Sequence, residues 1–176
     1  LDFLLFDACF MMTIEVAYAI RDEADYIIAS PTEIPGPGAP YDAIVAPMFR
    51  PTNAAIEVAK AYYDHYNATY NSGIGNKDEE WTAGVSIATL KTSALSNLAT
   101  ATQRALSKAE NINLSAIKSS LFNYDQRSKS SSSYIGYYDM VQLMQALFTE
   151  SDFATWKTAF DSAMAYYQAT PLNYSS

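Results

Sequence analysis

Residues 2–30, DFLLFDACFMMTIEVAYAIRDEADYIIAS, decide the fold class of this chain. The run DFLLFD over residues 2–7 is short, apolar and bounded, the pattern of a strand buried on both faces. From Phe10 to about Ala24 the period changes. Phe10, Ile14 and Tyr18 recur every four residues, joined by Met11, Val16 and Ile20, and RDEAD forms the polar end. YIIAS, residues 26–30, is again a short β-branched run, stopped by Pro31. Strand, helix, strand in this order is a βαβ unit, which predicts parallel pairing and a right-handed crossover.

Outward from that unit, PTEIPGPGAPY (31–41) holds four prolines and two glycines, so it is expected to be an ordered loop at the edge of the sheet. A helix is expected from Asn53 to Asn67, with Ala55, Ala59, Tyr62 and Tyr66 along one face. NSGIGNKDEEW (71–81) reads as a polar surface loop, and AGVSIATL (83–90) as a further strand. The next helix, about Ser93 to Ala109, carries Leu95, Leu98, Ala99, Thr102 and Leu106 as its stripe. NLSAIKSSLFNY, YDMVQLMQALF and DFATWKTAFDSAMAYYQA read as helices, the last capped by Thr149 or Ser151. RSKSSSSYIG (127–136) is a low-complexity loop, the segment most expected to be disordered.

A length of 176 residues accommodates one domain, and 49% apolar residues are enough to fold it. Lys and Arg number 11 against 19 Asp and Glu, a net charge of −8, which argues against a nucleic-acid partner. One cysteine excludes an internal disulfide and a Cys-rich metal site. No stretch reaches 18 consecutive apolar residues, so no membrane span is expected. The chain opens at Leu1 within a strand pattern and ends at TPLNYSS, so we expect a piece of a longer polypeptide.

Two residues stand out chemically. Cys9 lies where a strand gives way to a helix, in the crevice where α/β folds bind ligands, and a helix N-terminus there would stabilise a thiolate. The alternative is a small buried hydrophobe. Asp7, a carboxylate in an apolar strand, needs a partner or a purpose. On an extended strand it shares a face with Cys9. It would attract a cation, such as a substrate Lys or Arg, rather than activate the thiol, unless it merely accepts bonds from loop amides. His65, the one histidine, shares a helix face with Glu57, Ala61 and Asp64, which reads as a solvated surface rather than a catalytic base. PGPG lacks the spacing and lysine of a phosphate loop, and DEADY and KDEEW lack the spacing of a calcium loop.

Residues 4–41, LLFDACFMMTIEVAYAIRDEADYIIASPTEIPGPGAPY, resemble the catalytic-cysteine region of the clostripain family of cysteine peptidases, relatives of caspase-like and gingipain-like enzymes. The resemblance rests on the strand ending in Asp-Ala-Cys, the Met-rich helix start, Glu15-Val16-Ala17, the Ala-Asp-Tyr entry to the next strand, and Glu33 before Pro-Gly. SIATL with its following helix, and YYDMVQL, look like fainter family features.

The resemblance implies a caspase-like α/β/α sandwich with a mostly parallel sheet and additional C-terminal helices, residues from about 110 to 176 being mainly helical. The whole chain would then be the heavy-chain-like part of one peptidase domain. It implies Cys9 as nucleophile and Asp7 as the selector of a basic residue before the scissile bond. The loop from Ser30 to Gly38 would be the other wall of that pocket, with Ser30, Thr32 and Glu33 contributing. The family's base is a His in a His-Gly pair upstream of the cysteine, on a light chain released by self-cleavage. His65 precedes Tyr and follows the cysteine, so it does not fit that place. The resemblance further implies peptide substrates with Arg or Lys, no cofactor for the chemistry, calcium support in some members, and a secreted or cell-envelope bacterial location. The rival reading is an inactive relative that binds peptides or builds a surface assembly.

Overall fold

The structure is a computed structural model and describes residues 1–70, 84–109, 112–125 and 136–171. The expected loop 71–81, and all of the expected loop 127–136 except Gly136, lie outside the described residues. Strands β1 (Phe3–Leu5), β2 (Tyr26–Ala29), β3 (Ser86–Lys91) and β4 (Met164–Ala169) form one sheet in that order. The βαβ reading holds. β1 and β2 pair in parallel, with Phe3 opposite Tyr26 and Leu5 opposite Ile28, joined through helix α1 (Ile14–Ala19).

The expected mostly parallel sheet is corrected for these four strands, because β2–β3 and β3–β4 are both antiparallel. Two helices, α2 (Tyr41–Met48) and α3 (Ala54–Tyr70), precede β3. They pack on each other. A helical pair carries the chain out and back, so the next strand enters from the opposite end to a single crossover.

Both faces of the sheet are covered, as alternating side chains require. Ile28 and Ile87 point into a core with Val58, Ala59, Tyr62 and Tyr66 of α3 and Ile44 of α2. Their neighbours Ile27 and Leu90 point the other way, onto Ala17 of α1, Leu95 and Leu98 of α4 (Leu95–Leu106), Met144 of α6 (Met140–Leu147) and Trp156 of α7 (Glu150–Ala163). This is the expected α/β/α sandwich. Trp156 anchors the second layer: it is 1% exposed, donates from Nε1 to Thr102 Oγ1 at 2.9 Å, and stacks on Phe153 and Phe160.

The late chain needs three corrections. Met164–Ala169, expected as the end of a helix, forms β4, because Tyr166 and Tyr167 favour the pleated surface and β3 offers a free edge. Val85 and Thr170 clamp that pair, with Val85 N–H donating to Thr170 Oγ1 at 2.9 Å. The helix expected at 113–124 is only the short α5 (Leu114–Lys118), capped by Asn113. On α4, Ala105 is buried where Leu106 was expected, and Leu106 faces outward. Thr149 caps α7 as expected, accepting from Asp152 N–H.

Candidate active site

Cys9 and Asp7 both lie beyond the carboxyl end of β1, which stops at Leu5. That corrects two expectations. Asp7 is exposed rather than held in an apolar strand, so it needs no buried partner and extended-strand geometry does not fix its facing. Cys9 is exposed on a turn, five residues before the first residue of α1, so the helix N-terminus does not serve the thiol. Thr13 takes the cap instead, accepting from Val16 N–H at 3.3 Å.

What reaches the thiol is the loop after β2. The Ile34 amide donates to Cys9 Sγ at 3.3 Å. A parallel strand pair puts the ends of β1 and β2 on the same side of the sheet, so their following loops meet. Two backbone bonds lock them together: Met12 N–H to the Ser30 carbonyl at 3.0 Å, and Phe10 N–H to the Thr32 carbonyl at 3.0 Å.

Phe10 itself is held at φ 58°, an uncommon conformation for an aromatic residue. Its ring lies flat on Tyr137, centroids 4.5 Å apart and planes within 5°. That stack and the Thr32 bond over-determine the turn that presents Cys9. The positive φ could not be read from the sequence, since nothing marks Phe10 as a turn residue.

The loop is built by its own polar residues. Ser30 and Thr32 are completely buried. Thr32 N–H donates to Ser30 Oγ at 3.1 Å, Ser30 Oγ donates to the Thr32 carbonyl at 3.0 Å, and Thr32 Oγ1 donates to the Glu33 carbonyl at 2.9 Å. Glu33 is half-buried at the end of this knot. The loop then carries Ile34 to the thiol and Gly38 to Asp7.

At the carboxylate, Tyr41 Oη donates to Asp7 Oδ2 at 3.3 Å. The negative charge holds the Tyr41 phenol above its ordinary pKa, with lesser contributions from burial and the bond itself. Gly38 sits against the same group, at φ +75°. His65 is half-buried on α3 and meets Tyr66 edge-on at 5.3 Å between centroids. Ile34, Gly38 and Tyr41 were not singled out by sequence reasoning. The prolines and glycines of 31–41 marked the loop but not which of its atoms turn inward.

Among the described residues no group of three or more His, Cys, Asp and Glu could hold a metal ion, and no helix is long and apolar enough to cross a membrane.

An α/β/α sandwich with an exposed carboxylate and an exposed thiol just past the end of β1, where the loop after the parallel strand β2 meets them, defines the class, an α/β protein with a thiol-bearing site. The clostripain family profile matches residues 1–169, and the chain belongs to that family of cysteine peptidases. It is similar to a B. fragilis cysteine protease (44% identity, TM-score 0.80, covering 99% of this chain and 70% of that one). It also resembles a secreted cysteine protease from Bacteroides thetaiotaomicron in complex with an irreversible peptide inhibitor (39%, TM-score 0.80, 96% of this chain and 44% of that one). An inactive protease zymogen from Parabacteroides distasonis is similar as well (31%, TM-score 0.77, 97% of this chain and 44% of that one). This chain therefore spans less than half the length of two of those three. No curated protein sequence matches it significantly.

Proposed function

We propose that the whole protein is an endopeptidase that cleaves after Arg or Lys, with Cys9 as nucleophile and Asp7 as the residue that selects the basic side chain. One observation carries the reading: the exposed Cys9 thiol receives the Ile34 amide, two residues from an exposed carboxylate, in a chain of the clostripain family. The amide stabilises negative charge on sulfur, as a nucleophilic thiol requires.

In this reading Cys9 Sγ attacks the carbonyl carbon of the scissile bond, and a histidine outside this chain takes the thiol proton. The tetrahedral intermediate collapses as that imidazolium protonates the leaving amine, leaving an acyl-thioester on Cys9. Water, deprotonated by the same imidazole, then attacks the thioester, releases the acid and restores the thiol. The oxyanion is received by the Cys9 amide and the amide beside the histidine. No cofactor takes part in these steps, and calcium, if bound, would serve structure.

In this reading the histidine-bearing segment pairs alongside β1, one of the two edge strands of the sheet among the described residues. The greater length of the related chains supports a partner of that kind. The inactive zymogen among them supports activation by self-processing. A secreted relative supports export from the cell. Ser30 and Thr32 hold the pocket wall from inside, and the half-buried Glu33 is its shoulder.

The test is a peptide library cleaved by the whole protein. Cleavage confined to bonds after Arg and Lys supports the reading. Absence of cleavage, with Cys9 still reactive, makes the protein a peptide-binding relative instead.

A further inference from the structure

Asp7 lies on an exposed loop, and a free aspartate there would swing among rotamers and lose affinity each time it had to be ordered. The structure surrounds it with a frame. Tyr41, the first residue of α2, donates to Oδ2 at 3.3 Å. A Cβ placed on Gly38 would stand 2.8 Å from Oδ2 and 3.2 Å from Oδ1, so only a glycine leaves the carboxylate where it is. Gly38 is itself fixed, because Tyr66 Oη donates to its carbonyl at 2.6 Å.

Below lies Tyr62, 1% exposed, whose hydroxyl has no hydrogen-bond partner. Burial, then the neighbouring Tyr66, then the Asp7 carboxylate push the Tyr62 phenol far above its ordinary pKa. Tyr62 is thus near enough for Asp7 to act on it. Both phenols stay protonated at neutral pH, so each meets the carboxylate as a neutral hydroxyl.

We propose that Tyr41 and Gly38 are specificity-positioning residues, the hydroxyl and the bare α-carbon together aiming the Asp7 carboxylate at the substrate cation. Tyr66 acts through Gly38, and Tyr62 provides a buried polar floor. This rests on the reading of Asp7 given under Proposed function.

The experiment compares kcat and KM of the whole protein on matched peptides with Arg, Lys or norleucine before the scissile bond. For Tyr41→Phe the preference for basic over norleucine peptides falls roughly three- to tenfold, carried by KM, as expected for one lost bond to a charged group. Gly38→Ala, which must push the carboxylate aside, lowers it further. Tyr41→Phe added to Asp7→Asn costs no additional preference, because Tyr41 acts only through Asp7. A full preference in Tyr41→Phe, or losses that add in the double variant, overturns the proposal while leaving Asp7 as selector. An undiminished preference in Asp7→Asn overturns the reading of Asp7, and this proposal with it.

Discussion

The Ile34 amide points at the Cys9 sulfur, 3.3 Å away, from a loop 25 residues further along the chain. Nothing in the local sequence of either residue requires this meeting. It follows from the parallel pairing of β1 with β2, which brings both loops to one end of the sheet. The thiol is thereby supported across a tertiary contact, where the sequence suggested support from its own helix.

Ile34→Pro removes that donor. Alkylation of Cys9 by iodoacetamide at neutral pH is expected to slow by about tenfold, the usual worth of a hydrogen bond to a charged group. Circular dichroism should show the fold retained, since Pro35 already follows. An unchanged alkylation rate would mean that the amide contributes nothing to the thiolate.

Ser30→Ala leaves the Thr32 N–H buried without its acceptor. Urea unfolding should show a loss of about 1–3 kcal/mol. Peptide cleavage should fall alike for basic and neutral residues before the scissile bond. A loss restricted to Arg and Lys peptides would place Ser30 in the pocket itself.

Lys108 and Asp152 tie the end of α4 to the first turn of α7. The hydrogen bonds from Lys108 and Thr149 hold the Asp152 carboxyl below its ordinary pKa. The folded form therefore binds this proton less readily than the unfolded chain. The stabilisation is complete above the ordinary aspartate range and disappears as pH falls through the depressed value. Lys108→Met should lower Tm slightly at neutral pH, less in high salt, and not at all in strong acid. A Tm difference that persists in acid would point to lost packing of the lysine stem.

Trp156→Ala should be the most damaging of these changes. It empties a site 1% exposed, breaks two stacks and leaves Thr102 without its donor. Unfolding experiments should register about 3–5 kcal/mol. A cost below about 1 kcal/mol would mean that α4 and α7 close over the gap.

The periodicity of the first 30 residues was enough for the βαβ unit, because alternation and helical spacing are local signals. The tyrosine stripe of α3 was legible in the same way, and Tyr62 and Tyr66 are buried as it implies. Local signals failed where a partner decides the outcome. Residues 164–169 carry a helical pattern, yet β3 draws them into the sheet. Phe10 looked like the first turn of a helix, yet the Thr32 carbonyl and the Tyr137 ring hold it at φ 58°. Asp7 and Cys9 were found from their chemistry. Their neighbours Ile34, Gly38 and Tyr41 were not, because an amide, a bare α-carbon and one tyrosine among fourteen carry no chemical flag.

Alkylation of the whole protein, followed jointly by peptide mapping and by cleavage of an Arg or Lys peptide, tests the nucleophile most directly. The account predicts that activity disappears in proportion to modification at Cys9, that one equivalent per molecule suffices, and that Cys9→Ala is inactive and leaves the position unlabelled. Activity that survives full modification of Cys9, or persists in Cys9→Ala, would contradict it.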